Sequence, residues 1–317
     1  MTGLTVTHLS FENQPGADGV SVSLSHNQVM WIGNLVGRAD NHCIIITRLE
    51  DGSFREELRD CPIAVCLVDG GATACLVSGD VFVFIHECNP GQESQLHILT
   101  LDTWEWRTEV KTHEFGRAFG IGSFSLEGAV YMGSCVVGSD PGTGVPCLKR
   151  WRKDIRSWET VRDPDGESVC DTMTNGVVKE DAVYYVAQRE YDDTICPILC
   201  EYWTGDFTYD ICHLPPGSMV ALPLTATSRH IIVPVVEQKH GEFNVVTVFS
   251  YGLVTGEWKR LGEVHGPSGF RSIHMIGKTT ALSFGRDHGQ NTDYVSVLDL
   301  EVPLSEESHW SLEVNAL

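Results

Sequence analysis

The chain has 317 residues, 42% of them hydrophobic, which suits a globular protein with a core of its own. Its 22 basic and 43 acidic side chains give a formal net charge of −21, which disfavours nucleic acid or an anionic membrane as partner and favours a basic one. No run of about 20 apolar residues is present, and MTGLTVTHLS lacks the basic start and apolar stretch of a signal peptide. Eleven cysteines at irregular spacing, with no CxxC, read as free thiols of a reducing compartment, so a cytoplasmic or nuclear location is expected.

The first element is LTVTHLSF (4–11). From there short β-rich runs separated by Gly, Pro, Asn and Asp fill the chain, and the helical i, i+3, i+4, i+7 pattern is nearly absent. Four runs, a to d, recur six times. The first set is VSVSLS (20–25), VMWIG (29–33), CIIITRL (43–49) and the stretch entered through DGSF at Phe54. The second is TACLVS (73–78), VFVFI (81–85), LHILTLD (96–102) and TWEW at Trp106. The third is GIGSFSL (120–126), AVYMG (129–133), CLKRWRK (147–153) and IRSW at Trp158. TMTNGVVK (172–179), AVYYV (182–186), ILCEYW (198–203) and TGDF at Phe207 form the fourth. VALPLTA (220–226), IIVPV (231–235), VVTVFSY (245–251) and TGEW at Trp258 form the fifth. The sixth is RSIHMIG (271–277), ALSFG (281–285), YVSVLDL (294–300) and ESHW at Trp310.

The six aromatics of run d follow one another at steps of 52, 52, 49, 51 and 52 residues. A period near 50 over almost the whole chain marks a repeat architecture. The a-to-b connections are short, as in hairpins. Run b is apolar almost throughout and is expected to be buried on both faces, while runs c and d alternate more, as outer strands would. Six repeats of four antiparallel strands with no helices between them predict an all-β, six-bladed β-propeller in a single domain over residues 1–317. The blades span about 20–57, 72–110, 119–162, 171–213, 219–263 and 270–315. The recurring aromatic is expected to fill the gap between neighbouring blades.

Spacing also predicts how the ring closes. Counting back from Val29 by the usual distance between run d and the next run b lands inside residues 4–11. That stretch is therefore expected in the last blade beside residues 294–315, where either it or the C-terminal HWSLEV takes the outermost position, leaving no frayed edge.

The period and the Trp after a short turn, best seen in SYGLVTGEWKRL (250–261), make the chain resemble the kelch-repeat propellers over residues 20–317. The resemblance implies a protein–protein interaction module. Families of this look act as scaffolds or as substrate receptors of ubiquitin ligases, and the receptors usually carry a BTB or F-box segment, which is not visible here.

The b–c loops and the connections between blades would share one face, the default binding surface. Some kelch propellers grip an acidic peptide there with a basic ring, for which Arg38, Arg117, Arg189, Lys239, Arg271 and Arg286 are the candidates. With Arg59 and Lys111 they make eight basic residues in these loops, no more than an even spread gives. His42, His86, His113, His240, His265 and His288 also fall there, without metal-site spacing. The acidic residues do concentrate. Asp140, Asp163, Asp165, Glu167, Asp171, Glu190, Asp192 and Asp193 all lie in the loops of the third and fourth blades, with Tyr191 among them. Such a cluster would steer a Lys/Arg-rich segment, and Tyr191 would add a cation–π contact. DPDGE (163–167) is first a turn sequence and lacks the rest of a calcium loop.

No G-x-S-x-G, H-E-x-x-H, P-loop or G-x-G-x-x-G is present, so neither a cofactor nor a metal is expected. Propeller enzymes assemble their sites from several blades at the axis and leave no local motif. The expected function is therefore a non-catalytic module binding a peptide or protein segment, with an axial metal-dependent oxidase or hydrolase as the alternative.

Overall fold

The computed structural model describes residues 4–38, 40–63, 72–85, 94–112, 118–137, 144–162, 176–191, 194–203, 208–221, 223–237, 245–264, 270–287 and 292–300. Among these the chain is all strand and turn, with no helix. It opens with β1 (Leu4–Leu9). Blade one is β2 (Pro15–Ser25), β3 (Gln28–Leu35), β4 (Asn41–Arg48) and β5 (Phe54–Asp60). Blade two is β6 (Ala72–Val77), β7 (Asp80–Ile85), β8 (Ser94–Thr100) and β9 (Glu105–Thr112). Blade three is β10 (Ala118–Leu126), β11 (Ala129–Val137), β12 (Gly144–Arg152) and β13 (Ser157–Thr160). Blade four is β14 (Val177–Lys179), β15 (Ala182–Tyr191), β16 (Thr194–Trp203) and β17 (Thr208–His213). Blade five is β18 (Ser218–Ala221), β19 (Thr225–Ala226), β20 (His230–Glu237), β21 (Val245–Gly252) and β22 (Trp258–Val264). Blade six is β23 (Phe270–Met275), β24 (Thr280–Asp287) and β25 (Thr292–Leu300).

Each blade is one antiparallel sheet in chain order, and the sixth is completed by β1 in the order β1-β25-β24-β23. The inner strands β2, β6, β10, β14, β19 and β23 each meet the next, and β23 meets β2, so the ring is closed. The six-bladed propeller expected from the period is the fold.

Closure is made by β1, with Leu4 opposite Leu300 and Leu9 opposite Val295. The outermost position of blade six is thus held by a strand without the repeated aromatic, and residues 301–317, with Trp310, lie outside the described residues. Leu4 packs among Val246, Val248 and Leu261 of blade five. Gly262 admits it, because a Cβ there would stand 2.8 Å from the Leu4 Cβ.

The aromatic of run d packs onto the preceding blade wherever it is described. Trp106 joins the cluster between blades one and two, Trp158 that between two and three, Trp258 that between four and five, and Phe54 that between six and one. Phe207 lies outside the described residues. Two residues before four of these aromatics the backbone turns left-handed, at Gly52, Trp104, Arg156 and Gly256 with φ of 85°, 57°, 48° and 68°. A short c–d turn needs that conformation, and glycine adopts it without steric cost.

Two expectations need correction. Run c is not an alternating outer strand. In β21, residues 246–252 are all buried, because strand c lies between neighbouring blades as strand b does, and solvent reaches mainly strand d. Run a of blade five is not one strand. β18 and β19 both pair with β20, and the break contains Pro223, which has no N–H to give the ladder. In blade four, residues 172–175 of run a lie outside the described residues, and β14 begins at Val177.

Candidate functional site

The six inner strands enclose an axial cavity of about 760 Å³. Period-2 alternation decides what it sees. In β2 the sequence VSVSLS sends Val20 and Val22 into the core between blades one and two, and Ser21 and Ser23 toward the axis. Ser123, Ser125, Thr73, Thr225 and Ser272 reach the same space from other blades. No carboxylate, ammonium or guanidinium lines it among the described residues.

Several of these groups are spent on joining blades. Ser21 Oγ is hydrogen-bonded to Ser272 Oγ at 2.5 Å and to His274 Nε2 at 2.8 Å, and Ser23 Oγ to His274 Nδ1 at 3.0 Å. Blades one and six are thus clasped by a Ser–Ser–His–Ser run. Thr73 Oγ1 and Ser123 Oγ, 2.7 Å apart, join blades two and three, and Met275 N–H donates to Thr225 Oγ1 at 3.2 Å between blades six and five. His274 also meets the edge of Phe284 at 6.2 Å. Burial pushes its pKa down to about 4, so at neutral pH the imidazole is uncharged.

His274 lies in β23, not in the loops that hold the histidines named from the sequence. The available signal was the alternation of VSVSLS and RSIHM, which puts small polar groups and this histidine on one parity of run a.

Successive strands are antiparallel, so the b–c connections and those between blades share one face, as expected. On that face Arg38 is exposed between β3 and β4. Arg189, Glu190 and Tyr191 are not in a loop but in β15, because the β15–β16 ladder continues to Tyr191↔Thr194. Arg271 and Arg286 are likewise strand residues, in β23 and β24, with Arg286 opposite Asp293 in the ladder. Arg38 follows β3 of blade one, Arg189 belongs to blade four, and Arg271 and Arg286 belong to blade six. Arg117, Lys239, Asp140, Asp163, Asp165, Glu167, Asp171, Asp192 and Asp193 lie outside the described residues. Among the described residues no three of His, Cys, Asp and Glu come together as metal ligands.

The basic run in β12 is neutralised locally. Arg150 Nε donates to Glu159 Oε1 at 2.7 Å, and Arg152 donates to Glu159 Oε2 at 3.0 Å and to Asp154 Oδ2 at 2.7 Å. Burial opposes ionisation of Glu159, but the two guanidinium groups prevail and hold its carboxyl below the usual range.

No protein-family model matches the chain, and no curated protein does. Among solved structures the chain is similar to that of YjhT, with a TM-score of 0.64 and 14% identity over 90% of this chain and 96% of the other. In all, 426 solved chains match, and a likeness that broad and that low in identity shows the propeller fold and selects no function.

Proposed function

We propose that this propeller is a non-catalytic recognition module that takes a peptide or protein segment with a basic stretch on its loop face. The observation that carries the reading is the hairpin of blade four. Its ten unbroken pairs run from Ala182↔Trp203 to Tyr191↔Thr194, against seven in blade three and eight in blade five for the corresponding b–c ladders. That extension brings the backbone at Glu190 and Tyr191 to the loop-face end of the blade, and Asp192 and Asp193 follow them in sequence. Asp140, Asp163, Asp165, Glu167 and Asp171 belong to the connections of blades three and four and add to the same negative field. Long-range attraction of this kind steers a Lys/Arg-rich segment and sets its orientation. Within a cytoplasmic or nuclear assembly the module would serve as a scaffold or as a substrate-recognition subunit, as its kelch-like look suggests.

The test is to replace Asp163, Asp165, Asp192 and Asp193 together by Asn in the full chain and to measure binding of Lys/Arg-rich peptides by fluorescence anisotropy at low and high salt. The native chain should bind more tightly at low salt, and the variant should lose several-fold in affinity and most of the salt dependence. Unchanged binding and salt dependence would sink the proposal.

A second reading, an axial hydrolase, draws on the contact of Ser21 with His274. The histidine argues against it. A pKa of about 4 leaves the imidazole a poor general base at neutral pH, where catalysis favours a group titrating near the working pH. Its two nitrogens are both engaged by serines of the neighbouring blade, which suits a clasp better than a catalyst.

A further inference from the structure

The axial cavity is lined by more hydrogen-bond donors than its walls consume. The run Ser272–Ser21–His274–Ser23 makes three contacts. Its three hydroxyls bring three O–H donors, and the imidazole brings at least one N–H. Each contact uses one donor, so at least one is left over. If Nε2 carries the proton, it donates to Ser21 and Ser23 donates to Nδ1. The unspent O–H is then that of Ser21 or Ser272. If Nδ1 carries the proton, it donates to Ser23, whose own O–H is unspent. All three serines line the cavity, so either tautomer leaves a free donor on its wall. A second surplus stands on blade five. Thr225 Oγ1 accepts from the Met275 N–H at 3.2 Å, which leaves its own O–H unspent on a residue only 6% exposed. Buried polar hydrogens are normally paired, so this one marks a place for an acceptor.

We propose that the axial cavity binds an uncharged organic molecule that carries a carbonyl oxygen on an apolar body. The surplus donors lie on blades five, six and one. Blades two and four, which stand across the ring from five and one, line the cavity with Ala74, Leu76, Val177 and Val178. One side of the space thus asks for an acceptor and the other for apolar surface. A carbonyl oxygen has two lone pairs and no proton, so it takes donors without adding one. The body of the molecule then covers the aliphatic side chains opposite, and that burial contributes the rest of the affinity.

Charge and size narrow the ligand. Among the described residues no ionised side chain lines the cavity, so a carboxylate, phosphate or ammonium would enter without a counter-charge. Taking an unpaired charge out of water is costly, whereas a neutral carbonyl loses only hydrogen bonds that the spare donors replace. The volume of about 760 Å³ falls within the roughly 300–1,000 Å³ of small-molecule sites, which are mostly apolar with a few placed polar groups. The site lies on the axis and is independent of the acidic residues of the loop face.

The test offers the full chain three probes of one shape: cyclohexanecarboxamide, which is neutral, cyclohexanecarboxylate, which is anionic, and cyclohexylmethylammonium, which is cationic. Binding is read by saturation-transfer NMR titration at neutral pH and high salt, which screens the net negative charge of the chain. The amide should bind several-fold more tightly than either ion. Thr225→Val, which removes one of the unspent donors, should weaken amide binding several-fold. Val177→Trp, which fills space on the apolar side, should abolish it. The comparison of the three probes on the native chain needs no variant to fold. Absence of amide binding, an ion bound as tightly as the amide, or amide binding untouched by both substitutions would overturn the proposal.

Discussion

Two seams of the ring are filled in different ways. Between blades two and three the work is done by the repeated aromatic. Trp158, 6% exposed, stands edge-on to Phe84 at 6.2 Å and tilted against Trp151 at 5.3 Å. Between blades six and one the equivalent residue, Phe54, is only half-buried. There the large ring comes from strand b: Trp31, 1% exposed, stacks on Phe284 at 5.2 Å. Gly19 makes the room, since a Cβ at that position would lie 2.4 Å from the Trp31 ring. The Ser272–Ser21–His274–Ser23 run then adds a polar clasp at the axis. The repeat fixes a gap that must be filled, not the residue that fills it.

That comparison breaks most readily at the aromatics. Trp31→Ala and Trp158→Ala should each cost about 3–5 kcal/mol, as truncations of buried aromatics do. Phe54→Ala should cost only about 1 kcal/mol, in proportion to its partial burial. Urea unfolding midpoints at constant m-value read the difference. If Phe54→Ala proves as costly as Trp158→Ala, Trp31 has not taken over that seam.

The polar clasp gives an effect of intermediate size with a pH signature. His274 titrates near 4 in the folded chain against an ordinary 6.5, so between those values the unfolded chain binds more protons. Its contribution is fully present above pH of about 6.5 and is lost as pH falls through about 4. The range corresponds to about 3 kcal/mol. His274→Gln should flatten this part of the stability–pH curve relative to the native chain. The carboxylates that also titrate there are common to both proteins and cancel in the difference. A parallel pair of curves would mean that burial does not hold His274 neutral.

Much of the frame was legible because turns and large aromatics leave local marks. The polar turn before Trp106, Trp158 and Trp258 encodes a left-handed residue and a ring packed on the preceding blade within three positions of sequence. Closure by residues 4–9 was legible as a distance, although LTVTHL carries no aromatic to announce it. The burial of run c was not legible, since residues such as Thr247 and Ser250 look outward-facing yet are 0% and 1% exposed between two blades. Trp31 and His274 were not legible either. Each acts on a residue of another blade, Phe284 or Ser21, and the hundreds of intervening residues carry no trace of which strands will meet. The extent of the blade-four hairpin was misjudged for a related reason. Charged residues at 189–190 read as a loop, whereas cross-strand pairing with 195–196 keeps them in the ladder.

The smallest expected effect returns to the turns and separates the two seams again. The weakly filled seam has glycine at its left-handed turn position, Gly52, while Trp158 follows Arg156, which holds φ of 48° with a Cβ. A non-glycine residue in that region is strained by roughly 1 kcal/mol, partly offset because glycine gives the unfolded chain more freedom. Arg156 returns little in compensation. It is 72% exposed and lies 3.9 Å from Glu109, a surface pair worth little in water. Arg156→Gly should therefore be neutral or stabilising by up to about 0.5 kcal/mol. Trp104→Gly, at the equivalent turn of blade two, should destabilise, because it removes a ring packed between blades one and two and the Arg59 guanidinium held 5.3 Å above it. Opposite signs at two left-handed positions would show that blade three accepts backbone strain at its turn without side-chain benefit. A loss of more than about 1 kcal/mol in Arg156→Gly would instead assign Arg156 a contact that matters to the seam beside it.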